Sequence, residues 1–330
     1  MNAFAGVRVA VLGSTGFVGR WVARKLSQAG AELLLPVRSP ATAREIFQQF
    51  EITGELIELD LLANEQVASF YSTMRPSITF NLAGYGIDRN ERDPVMAYKI
   101  NAELPGTIGE AALPLSNTGW RGLDVVHVGS AMEYGTAAGD LAEETRALPT
   151  TLYGKSKLAG TIYLKRFSEL NGLKTLTARL FSVYGPGERA ERLLPSLINA
   201  RKTGARLPLT DGSHERDFVY VEDVADGLLR LGSLSISRSE IVNLASGSLT
   251  SVRDFTETAA VILGIDSDRL NFGALPTRQE EMAHLPVSNR RLRQLIDWIP
   301  PTTIEQGVRK TASFSGINPS VTALGAALTR

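Results

Sequence analysis

Tyr153 and Lys157 stand four residues apart, so a helix through them puts a phenol and an ammonium on one face. A buried ammonium beside the phenol would lower its pKa and make Tyr153 a usable acid or base near neutrality. Such a spacing arises by chance in many helices. Its context here is Ser130, which closes the apolar run Val125-Val126-His127-Val128-Gly129. The end of a buried strand is where a doubly wound sheet presents ligand-binding groups. A hydroxyl there could polarise a carbonyl while Tyr153 moves the proton; a turn or cap would also account for the serine.

A second constellation lies near the N-terminus. Gly13-Ser14-Thr15-Gly16-Phe17-Val18-Gly19 follows an apolar strand and opens a helix, which is the context that gives a GxxGxxG turn meaning. Gly13 permits the turn, Gly16 lets backbone N–H groups approach a pyrophosphate, and Gly19 lets the helix pack on the sheet. Thr15, Phe17 and Val18 line the same turn, so a nicotinamide dinucleotide is the expected cofactor. Its positive oxidised ring would lower the Tyr153 phenol further.

The next strand ends Val37-Arg38, with no acidic residue where a ribose hydroxyl would be held. A guanidinium suits a 2′-phosphate, so Arg38 favours NADP over NAD, unless it is a solvated loop residue. Asp60, after the third strand, either accepts from the adenine amino group or caps the helix that begins near Asn64. Leu82, Ala83 and Gly84 close the fourth strand with side chains small enough for a cofactor to lie against the backbone.

The elements that must position these groups are legible as alternation. Val7–Leu12, Glu32–Val37, Glu55–Leu59, Ile78–Leu82, Leu123–Val128 and Lys174–Leu180 are the expected strands, separated by amphipathic stretches such as Phe17–Gln28, Asn64–Tyr71 and Pro94–Ala112. This order predicts an α/β fold with a doubly wound parallel sheet. Beyond Tyr184 the pattern loosens around helices near Leu193–Lys202, Asp223–Leu231 and Val252–Leu263, which reads as a smaller interleaved lobe. The expected division is 1–180 for the dinucleotide and 181–330 mainly for substrate, with part of 205–250 returning to the first domain. The tail Phe314–Arg330 is weakly periodic and is expected to be poorly ordered.

Lys plus Arg equals Asp plus Glu at 35 each, so no net field draws the chain to nucleic acid or to an anionic membrane. Cysteine is absent and histidine numbers three, which excludes thiolate chemistry and makes a metal site an unfavoured reading. No leader pattern and no apolar run long enough to span a bilayer are visible, so a cytoplasmic location is expected.

Together these residues resemble the extended short-chain dehydrogenase/reductases that act on nucleotide sugars. The resemblance runs from Val7 to about Thr311 and includes the Asp60-Leu61 pair, Asn81-Leu82-Ala83-Gly84, Asn101, Ser130 through Gly135, Arg179 through Pro186, Arg216 through Asp223 and Asn243 through Gly247. It implies Ser130, Tyr153 and Lys157 as the catalytic group, with Lys157 also holding the nicotinamide ribose. It implies further cofactor contacts at Leu61 and Asn101. Arg216 and Arg278 would hold the diphosphate of a nucleotide sugar, although Arg278 could instead pair with Glu280 or Glu281. Tyr85, in the Tyr85–Arg89 loop, and Leu194, in Leu193–Ile198, would shape the sugar site with Ala131, Met132 and Ser182. A homodimer is the family expectation.

Departures narrow the chemistry. Dehydratases of the family carry an acid at one or both positions after the catalytic hydroxyl; here these are Ala131 and Met132. Glu133, one step on, would point to the opposite face of an extended segment. Leu104 replaces a usual glycine and Ser182 a frequent asparagine. The leading expectation is an NADPH-dependent reductase of an NDP-4-keto-6-deoxyhexose. The rivals are an NDP-sugar 4-epimerase with retained NAD and a non-catalytic dinucleotide-binding protein.

Overall fold

The computed structural model describes residues 2–87, 90–116, 119–276 and 282–319. In chain order the first half runs β1 (Arg8–Leu12), α1 (Phe17–Gln28), β2 (Glu32–Val37), α2 (Pro40–Gln49), β3 (Glu55–Glu58), α3 (Asn64–Met74), β4 (Ile78–Asn81), α4 (Pro94–Tyr98), α5 (Leu104–Ala112), β5 (Val125–Ser130), α6 (Leu152–Asn171) and β6 (Thr175–Leu180). The second half contains β7 (Ser182–Tyr184), α7 (Leu193–Thr203), β8 (Leu207–Pro208), β9 (Glu215–Arg216), β10 (Phe218–Tyr220), α8 (Val221–Gly232), β11 (Glu240–Leu244), β12 (Thr250–Ser251), α9 (Val252–Leu263), β13 (Leu270–Asn271), α10 (Arg290–Ile296) and α11 (Ile304–Phe314).

Seven strands form one sheet in the order β11-β6-β5-β4-β1-β2-β3, every neighbouring pair parallel. The α/β doubly wound architecture is therefore as the alternation predicts. Because both faces are covered, strands read as continuous apolar runs with a hidden period of two. Val9 and Val11 of β1 join the core shared with Trp21, Val22 and Leu26 of α1 and Val224 and Leu228 of α8. Ala10 and Leu12 join the opposite core with Phe70 of α3, Ile108 of α5 and Leu164 of α6. The chain runs from β1 outward through β2 and β3 on one side and crosses back to β4 on the other, which opens a crevice at the carboxyl ends of β1 and β4.

The expected helix over Pro94–Ala112 is interrupted by a π turn at Lys99–Glu103. Pro105 explains it: lacking an N–H, it cannot donate to the Asn101 carbonyl one turn earlier, and the ladder widens there. That carbonyl faces Gly160 of α6, where any side chain would collide with it. The strand β5 begins two residues after Leu123 and has Ser130 as its last residue, at the end of the apolar run where the hydroxyl is expected. β11, absent from the sequence reading, pairs with β6 from Glu240↔Leu176 to Leu244↔Leu180.

Three two-stranded pairs, β7 with β10, β8 with β13 and β9 with β12, build the remainder beyond the sheet. Among the described residues no helix is long and apolar enough to cross a membrane.

Candidate active site

The glycine turn sits at the crevice. Gly13 adopts φ +78°, and a Cβ on it would come within 2.8 Å of the Ala83 amide nitrogen, so the ends of β1 and β4 pass too closely for a side chain. A Cβ on Gly19 would collide with the Gly13 carbonyl oxygen. Gly16 is the N-cap of α1 and no side chain caps that helix, which leaves its first N–H groups available to an anion. Ser14 Oγ is fully buried and has no partner among the described residues. Arg20 braces the turn, donating from Nη2 to Thr15 O at 2.7 Å and from Nε to Gly16 O at 3.1 Å. Thr15, Phe17 and Val18 are each half-buried around it. A cradle closed to side chains, an open helix terminus and an unpartnered hydroxyl fit a dinucleotide pyrophosphate.

Arg38 is exposed beyond the end of β2. The β2–β3 register sets Glu58 opposite Val37, so a carboxylate stands one strand away from a site that sequence order shows without one. Asp60 is exposed and its Oδ1 accepts the Leu62 N–H at 3.0 Å, turning the chain toward α3, whose own N-cap is Ala63. Leu61 packs half-buried against the α3-side core, and Leu82 against the α1-side core. Ala83 is buried and Gly84 exposed at the crevice. Asn101 is fully buried: its amide donates to Tyr85 O at 2.7 Å and Ser156 Oγ at 2.9 Å, and its Oδ1 accepts from Tyr85 N at 3.0 Å. Its amide is thus engaged within the protein, and it fixes Tyr85 where sequence reading expected a direct cofactor contact.

Ser130, Tyr153 and Lys157 come together. Thr151 caps α6 through the Gly154 N–H at 3.0 Å, starting the helix so that Tyr153 and Lys157 share the face toward β5. Ser130 stands beside the Tyr153 phenol, and its Oγ accepts the Met132 N–H at 3.2 Å. Burial pushes the Tyr153 phenol up to about 12, opposed by the neighbouring Ser130 hydroxyl and reinforced by Glu133 and Glu91. The expectation that Lys157 lowers the phenol is not met in the protein alone, where desolvation dominates. Burial also lowers Lys157 to about 8, against the pull of Glu133. Gly86, with φ +101°, lies over the Tyr153 ring; a Cβ there would stand 3.5 Å from Cδ2. Glu91 holds that loop by accepting the Gly86 N–H at 2.8 Å, and its other oxygen pairs with Arg189 at 3.3 Å across the cleft.

The residues expected to hold substrate are less uniformly placed. Tyr85, Ala131, Met132 and Ser182 are half-buried around the cleft side of β4, β5 and β7. Leu194 is 1% exposed and packs in the core, because it is the second residue of α7 and faces inward. Arg216 lies half-buried on β9, opposite Thr250. Its neighbour Asp217 is buried and accepts the Ser246 and Gly247 N–H groups at 2.8 and 2.7 Å, which fixes the loop beside it. Arg278, like Asp88 and Arg89, lies outside the described residues.

The model of the NAD dependent epimerase/dehydratase family matches residues 9–245, spanning the glycine turn, Ser130, Tyr153, Lys157 and β11. The chain belongs to that family. Among curated family relatives, dTDP-6-deoxy-L-talose 4-dehydrogenase (NAD(P)(+)) of Kitasatospora kifunensis is 29% identical over 93% of this chain and 95% of its own. UDP-glucose 4-epimerase of Mycolicibacterium smegmatis is 26% identical over 93% and 98%. The solved UDP-glucose 4-epimerase with UDP-glucose from Thermotoga maritima superposes with a TM-score of 0.81 at 21% identity, over 93% of this chain and 98% of that one, and shares the fold.

The placement of Glu133 against Arg179 differs from what the order of residues suggests. Segment 131–133 is a 3-10 turn where an extended one was expected, and Glu133 folds back beneath Ser130. Its partner is Arg179, at 2.9 Å from the neighbouring strand. The motif order gave no signal of that pairing. His127 is fully buried between Asn81, at 3.1 Å from its Nδ1, and the charge of Lys157; burial first and then that charge hold it neutral.

Proposed function

We propose that the chain is an NAD(P)H-dependent reductase of a nucleotide-diphosphate 4-keto-6-deoxyhexose. The observation that carries this reading is the placement of Ser130 at the end of β5 beside the Tyr153 phenol and buried Lys157, with Ala131 and Met132 where a dehydration acid would stand. A reduced nicotinamide, when bound, supplies the hydride that reaches sugar C4. Ser130 donates its hydroxyl hydrogen bond to the C4 carbonyl and polarises it. Tyr153 delivers its phenolic proton to the oxygen as the C–H bond forms, so ketone, hydride and proton become a neutral alcohol. A phenol raised to about 12 keeps its proton throughout the neutral range, which suits a donor. Lys157 places an ammonium where it holds the ribose hydroxyls and stabilises the phenolate left behind.

In this reading residues 1–180 bind the dinucleotide, 181–330 mainly the sugar nucleotide, and Arg216 with Arg278 the diphosphate. Exposed Arg38 favours NADP, whereas Glu58 beside Val37 favours NAD. The named activity of the talose 4-dehydrogenase relative, redox at C4 of a 6-deoxyhexose nucleotide, supports the reaction class. The epimerase relative supports the second reading, in which C4 is oxidised and re-reduced with retained NAD.

Mixing the protein with such a ketosugar and NADPH should consume one reduced cofactor per alcohol formed. Tyr153→Phe should lower kcat by about 10²- to 10⁴-fold. Interconversion of two 4-epimers without net cofactor turnover, in a protein that purifies with NAD, would replace this reading with the epimerase.

A further inference from the structure

Directly beneath the catalytic group is a carboxylate that hydride and proton transfer do not use. Glu133 is fully buried. Its Oε1 accepts the Ser130 backbone N–H at 2.9 Å and the Thr161 hydroxyl at 3.2 Å, and its Oε2 accepts Arg179 Nε at 2.9 Å. The elements around it are shaped to admit it. Thr161 lies one helical turn after Lys157 on α6. Gly129 pairs with Arg179 across β5 and β6, and a Cβ on Gly129 would stand 2.6 Å from Glu133 Oε1. Arg179 is 3% exposed and lies 4.4 Å over the Tyr134 ring. A buried ion pair of this kind is weak as a source of stability, since desolvation offsets most of its attraction. Its value lies in what the fixed charge does locally.

We propose that Glu133 is a positioning residue of the active site, whose Arg179-anchored carboxylate fixes the Ser130 end of β5 and keeps a negative charge under Lys157 and Tyr153. The inference rests on the reading above only in taking Tyr153 as the proton donor and Lys157 as the cofactor-holding ammonium. Among the described residues, the charged and titratable groups facing Lys157 are Glu133 from the turn after β5 and His127 from β5, with Tyr153 one turn earlier on its own helix; those facing Tyr153 are Glu133 and Glu91. Glu133 opposes the burial that drives Lys157 toward neutrality and adds to the retention of the phenolic proton.

The test is Glu133→Gln, which can still accept from Ser130 and Thr161 but carries no charge. NADPH affinity of the parent protein, read by fluorescence titration, should fall as pH rises through about 8, where Lys157 loses its proton. In Glu133→Gln that midpoint should drop by about one unit, with affinity near pH 6 unchanged. Gly129→Ala, which displaces the carboxylate without deleting it, should move the midpoint the same way. If Glu133→Gln does not fold, the double variant Glu133→Gln/Arg179→Gln leaves no unpaired charge and should show the lowered midpoint. A uniform loss of affinity or stability at every pH, with the midpoint in place, would show a merely structural residue and overturn the proposal. Failure of the ketosugar assay would overturn the reductase reading while leaving this binding titration to decide the role of Glu133.

Discussion

Arg38 and Glu58 set opposing fields at the carboxyl end of β2, one guanidinium beyond the strand and one carboxylate on β3 opposite Val37. An exposed guanidinium on a 2′-phosphate forms charge-assisted hydrogen bonds that a ribose hydroxyl cannot match. Arg38→Ala should therefore weaken NADPH binding about tenfold more than NADH binding. Glu58→Gln should move the ratio the other way, both read from cofactor Kd values. Equal losses for the two cofactors on removing Arg38 would show that it does not face the phosphate. These residues also show what was legible at this scale. The GxxGxxG turn and the Tyr153/Lys157 spacing are local, so their chemistry lies within single segments. Glu58 beside Val37 and Glu133 against Arg179 depend on strand register, and no spacing along the chain displays them. The burial of Leu194 is of the same kind: helical phase at the start of α7, not proximity to a motif, turns it into the core.

At the scale of elements, the strands were legible because burial on both faces forces long apolar runs, and the first six are found within two residues of expectation. β11 was missed because its five residues begin with Glu240, which breaks the run. The loop after β7 carries a further consequence. Gly185 and Gly187 take positive φ, and the chain turns so that Glu188 is buried, with one oxygen on Arg192 at 3.3 Å and the other unpartnered among the described residues. Burial pushes its carboxyl up to about 7, opposed by Arg192 and by the Gly185 backbone. A carboxyl raised in the folded state favours folding below its unfolded pKa, and that contribution is lost as pH climbs through the folded value. Glu188→Gln keeps the shape without the charge. Its melting temperature should match the parent's near pH 4.5 and exceed it by a few degrees at pH 8, for about 2 kcal/mol of relieved charge burial. A pH-independent difference would place the effect in packing.

The whole molecule is tied together across the division that sequence order suggests. One core joins Val9 of β1 and Trp21 of α1 to Val224 of α8, Val242 of β11, Leu197 of α7, Phe255 of α9 and Val308 of α11. Trp21 Nε1 donates to Pro186 O at 2.8 Å, and Lys25 of α1 pairs with Asp226 of α8 at 3.0 Å. A protein ending at Leu180 would lack α8, which covers one face of the sheet, and β11, which covers the edge of β6. It would expose the apolar side of β1 and a fully buried strand as a free edge, the arrangement that promotes association between chains. The fragment 1–180 should therefore elute as aggregate and melt without a cooperative transition, even though it contains the glycine turn together with Ser130, Tyr153 and Lys157. The full chain should unfold in a single transition by circular dichroism. A monomeric fragment that melts cooperatively and binds NADPH would show instead that the dinucleotide half folds alone, and that the shared core adds stability without being required for the fold.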